Sequence, residues 1–221
     1  MGYNIAIDGP AGAGKSTIAK LVAKELGYIY VDTGAMYRTL AVHILREGVA
    51  YEEEEAVSSA CEDVKVSLKY EDGMQRVLLN GEDVTAEIRS EQVGNITSSI
   101  SVFPKIRALL LDLQRDLASS QDVVMDGRDI GTNVLPNAQV KIYLTASVKE
   151  RAGRRYKELK AKGVPADILL IEKDISERDF RDMNRDIAPL KQAEDAYYLD
   201  SSSMTIEEVV QKIICQVKEM R

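Results

Sequence analysis

The run Gly9-Pro10-Ala11-Gly12-Ala13-Gly14-Lys15-Ser16-Thr17 sets glycines, a lysine and two hydroxyls at a spacing suited to a polyphosphate. Glycine lets the chain turn tightly and bring backbone N–H groups against phosphate oxygens. Lys15 would then reach the β- and γ-phosphates, and the Ser16 hydroxyl would ligate Mg2+. A helix following such a turn adds unpaired N–H groups and the positive end of its dipole. The pattern Gly-x4-Gly-Lys-Ser lies between an apolar stretch and an amphipathic one, the context of a nucleoside-triphosphate cradle. It leaves the acceptor open. No Asn-Lys-x-Asp segment occurs, which disfavours a guanine-nucleotide switch. What remains is a small kinase that moves a γ-phosphoryl group to a small acceptor.

Arginines mark the second half of that chemistry. Arg38, Arg107, Arg128, Arg151, Arg154, Arg155, Arg178, Arg181 and Arg185 fall in or near segments expected to face a cleft. Transfer between phosphates gathers several negative charges, so positioning and neutralisation carry the catalysis. The planar guanidinium fork pairs two phosphate oxygens and stays charged. Solvated helix faces are the competing account for the stretch 148–162, where i,i+4 charge pairs are common.

These groups need a frame, and the apolar pattern supplies one. Short buried strands are expected at 3–8, 28–31, 123–126, 140–145 and 196–200, and helices at 15–26, 35–46, 52–61, 93–101, 104–117, 148–162, 168–185 and 205–220. Strands separated by helices imply a parallel sheet with helices on both faces. Ligands in such sheets bind beyond the carboxyl ends of the strands. The loops 9–16, 32–34 and 126–131 all follow strand ends and are expected to meet in one cleft. Residues 64–85 alternate apolar and polar, with turn signals at Glu71-Asp72-Gly73 and Asn80-Gly81, so they read as a small antiparallel insertion.

Composition narrows the class. The chain has 221 residues, 45% hydrophobic and 29% charged, with a net charge of −7. That length suits one α/β domain with a small insertion. The acidic balance argues against binding a nucleic-acid polymer through its backbone. No apolar run is long enough to span a bilayer and no export signal is visible, so a cytoplasmic protein without membrane contact is expected. Cys61 and Cys215 show no metal or redox spacing and are expected reduced and partly buried. His43, amid apolar helical neighbours, is expected to be structural.

Four ordered segments together resemble the signatures of bacterial cytidylate kinase: Gly9 to Thr17, Asp32-Thr-Gly-Ala-Met-Tyr-Arg38, Asp126-Gly-Arg-Asp-Ile-Gly-Thr132, and Arg178-Asp-Phe-Arg-Asp-Met-Asn-Arg185 followed by Ala188-Pro-Leu190. The resemblance runs from about residue 3 to 217 and includes the insertion, which the long bacterial form carries in its nucleoside-monophosphate-binding region. Thr33 stands where relatives often have serine. The resemblance implies a P-loop α/β kinase domain over 1–221, with a monophosphate-binding region at about 34–106, the insertion at 64–85 and a helical lid at about 151–186. It implies ATP-dependent phosphorylation of CMP or dCMP, with Mg2+ accompanying ATP, by a monomer.

Residue roles follow from the same resemblance. Residues Gly9 to Thr17 would hold ATP. Ser98, Arg107 and Asp129 would read cytosine, Arg38, Arg128 and Arg185 the acceptor phosphate, and Arg178 with Asp182 the pentose. Thr33 and Tyr37 would line the acceptor site. Lys15, Arg128, Arg154 and Arg185 would be catalytic, Arg154 from a lid beginning at Arg151–Arg155. The base chemistry agrees: Asp129 and Ser98 can accept from the cytosine amino group while Arg107 donates to N3 and O2. Uracil would leave those groups wrongly paired. A kinase for UMP, dTMP or AMP, and a non-catalytic nucleotide-binding module, remain the alternatives.

Overall fold

The computed structural model describes residues 2–71 and 74–221, with the side chain of Met74 also outside the description. The expected turn at Asp72-Gly73 lies outside the described residues. In chain order the elements are β1 (Asn4–Asp8), α1 (Lys15–Leu26), β2 (Ile29–Asp32), α2 (Thr33–Glu47), α3 (Glu54–Cys61), β3 (Val66–Glu71), β4 (Met74–Leu79), β5 (Glu82–Asp83), α4 (Glu91–Ile100), α5 (Pro104–Ser120), β6 (Val123–Gly127), β7 (Val140–Thr145), α6 (Val148–Ala161), α7 (Ile168–Asn184), β8 (Tyr197–Asp200) and α8 (Ile206–Glu219). Two compact units result, Met1–Tyr30 with Ser120–Arg221, and Val31–Ser119.

The first unit is organised on β1. Ile5, Ala6 and Ile7 have no solvent exposure, as a central strand covered on both faces requires. The sheet order is β2-β6-β1-β7-β8, and β1 pairs in parallel with both β6 and β7. Asp8 is level with Gly127 on one side and Tyr143 on the other, so the chain leaves β1 and β6 at the same edge. Alternation along the strands sends Ile5, Ile7, Val124 and Ile142 to one face. There they meet Ile18, Ala19 and Val22 of α1 and Val209, Val210, Ile213 and Val217 of α8. Helix α8 begins with a capping box between Thr205 and Glu208, which satisfies two backbone donors reciprocally.

The second unit gathers round α2, which touches α3, α4, β3 and β4. Met36, Leu40 and Ile44 of α2 are buried with Val57, Val77, Leu79, Ile88, Ile96, Ile100 and Leu110. The insertion is a three-stranded antiparallel sheet, β3-β4-β5, with Leu68 opposite Val77 and Leu78 opposite Asp83. Asn80 and Gly81 both take positive φ, 51° and 90°, as a type I′ hairpin turn demands. Arg46, near the end of α2, donates to both oxygens of Glu82 at 2.8 Å and to Glu87 at 2.7 Å. One guanidinium thereby ties β5 and the 3-10 turn at Glu87–Arg89 to the helix.

Two expectations change. Residues 32–34 form no loop: β2 ends at Asp32 and α2 starts at Thr33. The Asp32 carboxylate accepts the Ala35 N–H at 2.9 Å, so the helix begins a residue or two before its apolar spacing becomes visible. Cys215 is exposed whereas Cys61 is buried, and both are free thiols. Burial pushes the Cys61 thiol up to about 11. His43 is half-buried and bonded through Nε2 to Ala60 O at 2.9 Å.

Candidate functional site

In the first unit the chain turns from β1 into α1 through Gly9 to Gly14. A Cβ on Gly9 would lie 1.9 Å from Leu144 O, a distance no side chain tolerates. Gly9 is therefore dictated by the close passage of β7. Gly14, at φ 89°, is the N-cap of α1; it offers no side-chain cap, and the first turn carries no acid. The Lys15–Thr17 end of that helix is thus electrostatically suited to an anion.

Lys15 is 6% exposed and donates to Pro10 O at 2.8 Å. Burial, reinforced by Arg128 and Arg178 and opposed by Asp126 and Asp182, pushes its ammonium down to about 7. Ser16 donates its hydroxyl to Asp126 Oδ2 at 3.0 Å, and Tyr30 donates to Asp126 Oδ1 at 2.9 Å. Ser16 Oγ and the Asp126 carboxylate are hard oxygen donors of the kind Mg2+ takes alongside substrate phosphates. Among the described residues no cluster of three or more His, Cys, Asp or Glu side chains could cage a metal.

The turn after β6 and the end of α7 come together on the same unit. Arg128 Nε donates to Asp182 Oδ2 at 2.8 Å. Arg185 donates from Nη2 to Asp129 Oδ1 at 3.4 Å and from Nε to Ala188 O at 2.7 Å. Burial opposes charge on Asp182, yet Arg128, Arg178 and Arg185 outweigh it and hold its carboxyl below the ordinary range. Four of the expected acceptor residues are thus interlocked in two charged pairs, with Arg178 near both Lys15 and Asp182. A π-helical turn over Ile130–Val134 follows, and Asn133 donates to Asp129 Oδ2 at 3.1 Å.

The expected lid arginines have unequal surroundings. Arg151 is 4% exposed and donates to Ala146 O at 2.8 Å, Ala11 O at 2.8 Å and Asp179 Oδ2 at 2.6 Å. It holds the cradle's backbone through the Ala11 carbonyl. Arg154 donates to Ser201 O at 2.9 Å and Ala13 O at 3.4 Å, next to Gly14. Arg155 pairs with Glu158 at 2.9 Å on the exposed face of α6.

In the second unit, Thr33 is buried in the first turn of α2, and Tyr37 and Arg38 follow in the next. Arg38 Nη1 donates to Ile88 O at 3.0 Å. Its guanidinium lies against Gly94 of α4, where a Cβ would stand 3.4 Å from Nη1. Arg107 donates to Ser101 O at 3.2 Å and sits 5.9 Å from the Tyr37 ring centroid, within cation–π range. Ser98 is half-buried on α4, and its carbonyl accepts from the Ser101 hydroxyl. The N–H of Asp32 donates to Gln75 Oε1 of the insertion at 3.0 Å.

Sequence reasoning missed Asp8, Tyr30, Gly94, Asn133 and the clamping role of Arg151. Asp8 carried a signal: an acid closing an otherwise apolar strand beside a glycine turn. Tyr30 and Gly94 carried none, because their roles depend on contacts across the fold.

Comparison with known proteins extends this geometry. In fold, the chain is similar to a gluconokinase from Sinorhizobium meliloti 1021, with TM-score 0.51 and 13% identity over 100% of this chain and 95% of that one. In sequence it is similar to a cytidylate kinase from Exiguobacterium sp., 50% identical over 98% of this chain and 97% of that relative. It is also 52% identical to a cytidylate kinase from Geobacillus sp., over 97% and 96% respectively. The family model described as Cytidylate kinase matches residues 5–219. With the cradle, the paired arginines and a match running nearly end to end, the chain belongs to the cytidylate kinase family.

Proposed function

We propose that this protein transfers the γ-phosphoryl group of ATP to CMP or dCMP, yielding ADP with CDP or dCDP. The observation that carries the reading is the grouping of cations round the cradle: Lys15, already disfavoured as an ammonium by burial, also has Arg128 and Arg178 near enough to repel its charge. Such a cluster is matched to more negative charge than one triphosphate brings. The near-50% identity to relatives named cytidylate kinase supports CMP as the acceptor.

In this reading residues Gly9 to Thr17 bind ATP, and Lys15 exchanges its bond to Pro10 O for β- and γ-phosphate oxygens. Arg154, already beside Gly14, neutralises charge developing on the transferred group. Arg38, Arg128 and Arg185 hold the CMP phosphate, whose anionic oxygen is the nucleophile and needs no strong base. Arg178 and Asp182 bind the pentose. Ser98, Arg107 and Asp129 read the base, and Thr33 and Tyr37 contribute to CMP binding. Ser16 and Asp126 would hold the Mg2+ that accompanies ATP, which would supply charge neutralisation at the phosphates. Residues 34–106 serve the monophosphate, and residues 151–186 act as the lid. No helix of the described residues is long and apolar enough to cross a membrane, and the reading places a monomer in the cytoplasm.

Turnover of CMP, dCMP, UMP, dTMP and AMP with ATP tests this directly. CMP and dCMP are expected to lead. A preference for UMP or AMP overturns the acceptor, and ATP binding without any transfer overturns the enzyme.

A further inference from the structure

Asp8 closes β1 one residue before the cradle and is 4% exposed. A buried carboxylate is costly unless its oxygens are satisfied. Here Oδ1 accepts the Ile130 N–H at 2.8 Å and Oδ2 accepts the Gly131 N–H at 2.7 Å. Those two amides follow directly on Arg128 and Asp129, whose side chains engage Asp182 and Arg185. The fit is close: a Cβ on Gly131 would stand 3.1 Å from Lys141 Cδ and 3.4 Å from Asp8 Oδ2.

The ionisable groups round Asp8 come from three elements. Asp129 shares the turn it anchors, Lys15 projects from α1, and β7 contributes Tyr143 and the stem of Lys141. The Lys141 ammonium turns away to Pro136 O and Asp195. Burial, with a smaller push from Asp129, raises the Asp8 carboxyl to about 6 against the pull of the two N–H groups and Lys15.

We propose that Asp8 is a positioning residue: its two oxygens fix the backbone at 130–131, so that Arg128 and Asp129 meet the acceptor nucleotide in register with the cradle that begins at Gly9. Asp8 acts through that backbone and touches no reacting atom. The inference rests on the CMP-kinase reading above. A small displacement of a substrate-positioning group is enough to cost orders of magnitude in rate.

Asp8→Asn keeps the shape but turns an NH2 group toward a backbone N–H. The expected result is a KM for CMP raised roughly tenfold or more with a lowered kcat. The Kd for ATP, measured without CMP, stays within about twofold, because the cradle's own contacts remain. Equal weakening of both substrates, or an unchanged KM for CMP, overturns the proposal. In the unmodified protein the amide resonances of Ile130 and Gly131 are expected to titrate together with a midpoint near 6. If they do not, the carboxylate anchor is wrong even should the Asn variant fail to fold. If the unmodified protein does not phosphorylate CMP, the acceptor reading falls, and the amide titration still decides whether Asp8 anchors the turn.

Discussion

Replacing Arg151 with alanine tests how the cradle is held. Its guanidinium makes one bond to Asp179 and one each to the carbonyls of Ala146 and Ala11. The side chains of the pair are only 4% and 10% exposed. Alanine would leave the Asp179 charge buried without its partner, a loss of about 3–5 kcal/mol. For a chain of this length each kcal/mol shifts the melting temperature by about 2–4 °C, so a fall of roughly 6–20 °C is expected. The carbonyl of Ala11 also loses its donor, so the KM for ATP should rise while the fold persists. Urea unfolding of Arg151→Ala, Asp179→Leu and the double variant closes a cycle. The double variant should recover about 1–3 kcal/mol relative to additivity, because no orphan charge remains. A cost below about 1 kcal/mol for Arg151→Ala, or strict additivity, would refute the buried clamp.

Other outcomes follow from the same geometry. The Lys15 ammonium is pushed down to about 7 from an ordinary 10.5. Between those values Lys15 binds more protons in the unfolded chain than in the folded one, so its contribution to stability should rise with pH across that window and be flat below it. A triphosphate favours the charged lysine, so MgATP binding at pH 8 should take up protons. Calorimetry in buffers of different ionisation heat measures this, and proton release would contradict it. Arg107→Ala should mainly narrow the preference for CMP over UMP, by about tenfold or more. Equal losses for both nucleotides in steady-state assays would remove Arg107 from base reading.

The cradle was legible because its residues are consecutive and its flanks are unambiguous: Ile5 to Ile7 have no polar interruption, and α1 ends at Gly27 with φ 72°. The insertion was legible for the same local reason, alternation plus Asn80-Gly81. Where the site depends on distant partners the sequence was mute. Arg151 looked like one cation among several on a charged helix. Only the approach of Ala11 and Asp179 distinguishes it from Arg155, which pairs with Glu158 one turn away. The start of α2 was misplaced because Asp32 has a double role, ending β2 and capping the helix through its carboxylate. Asp129 and Arg185 are 56 residues apart yet bonded, a pairing that spacing alone cannot signal.

The Arg46 tether has a consequence for how the second unit responds to its surroundings. Its carboxylate partners are well exposed, Glu82 at 60% and Glu87 at 48%. The grip on β5 and the 87–89 turn is thus coulombic and wet, whereas β1 is held by apolar burial. At 1 M salt the screening length falls to about 3 Å, which weakens exposed charge pairs and leaves apolar cores intact. Ionic strength therefore acts as a solvent handle on the hairpin's seam, as on exposed pairs such as Arg155–Glu158, while the apolar contacts of the parallel sheet keep their grip.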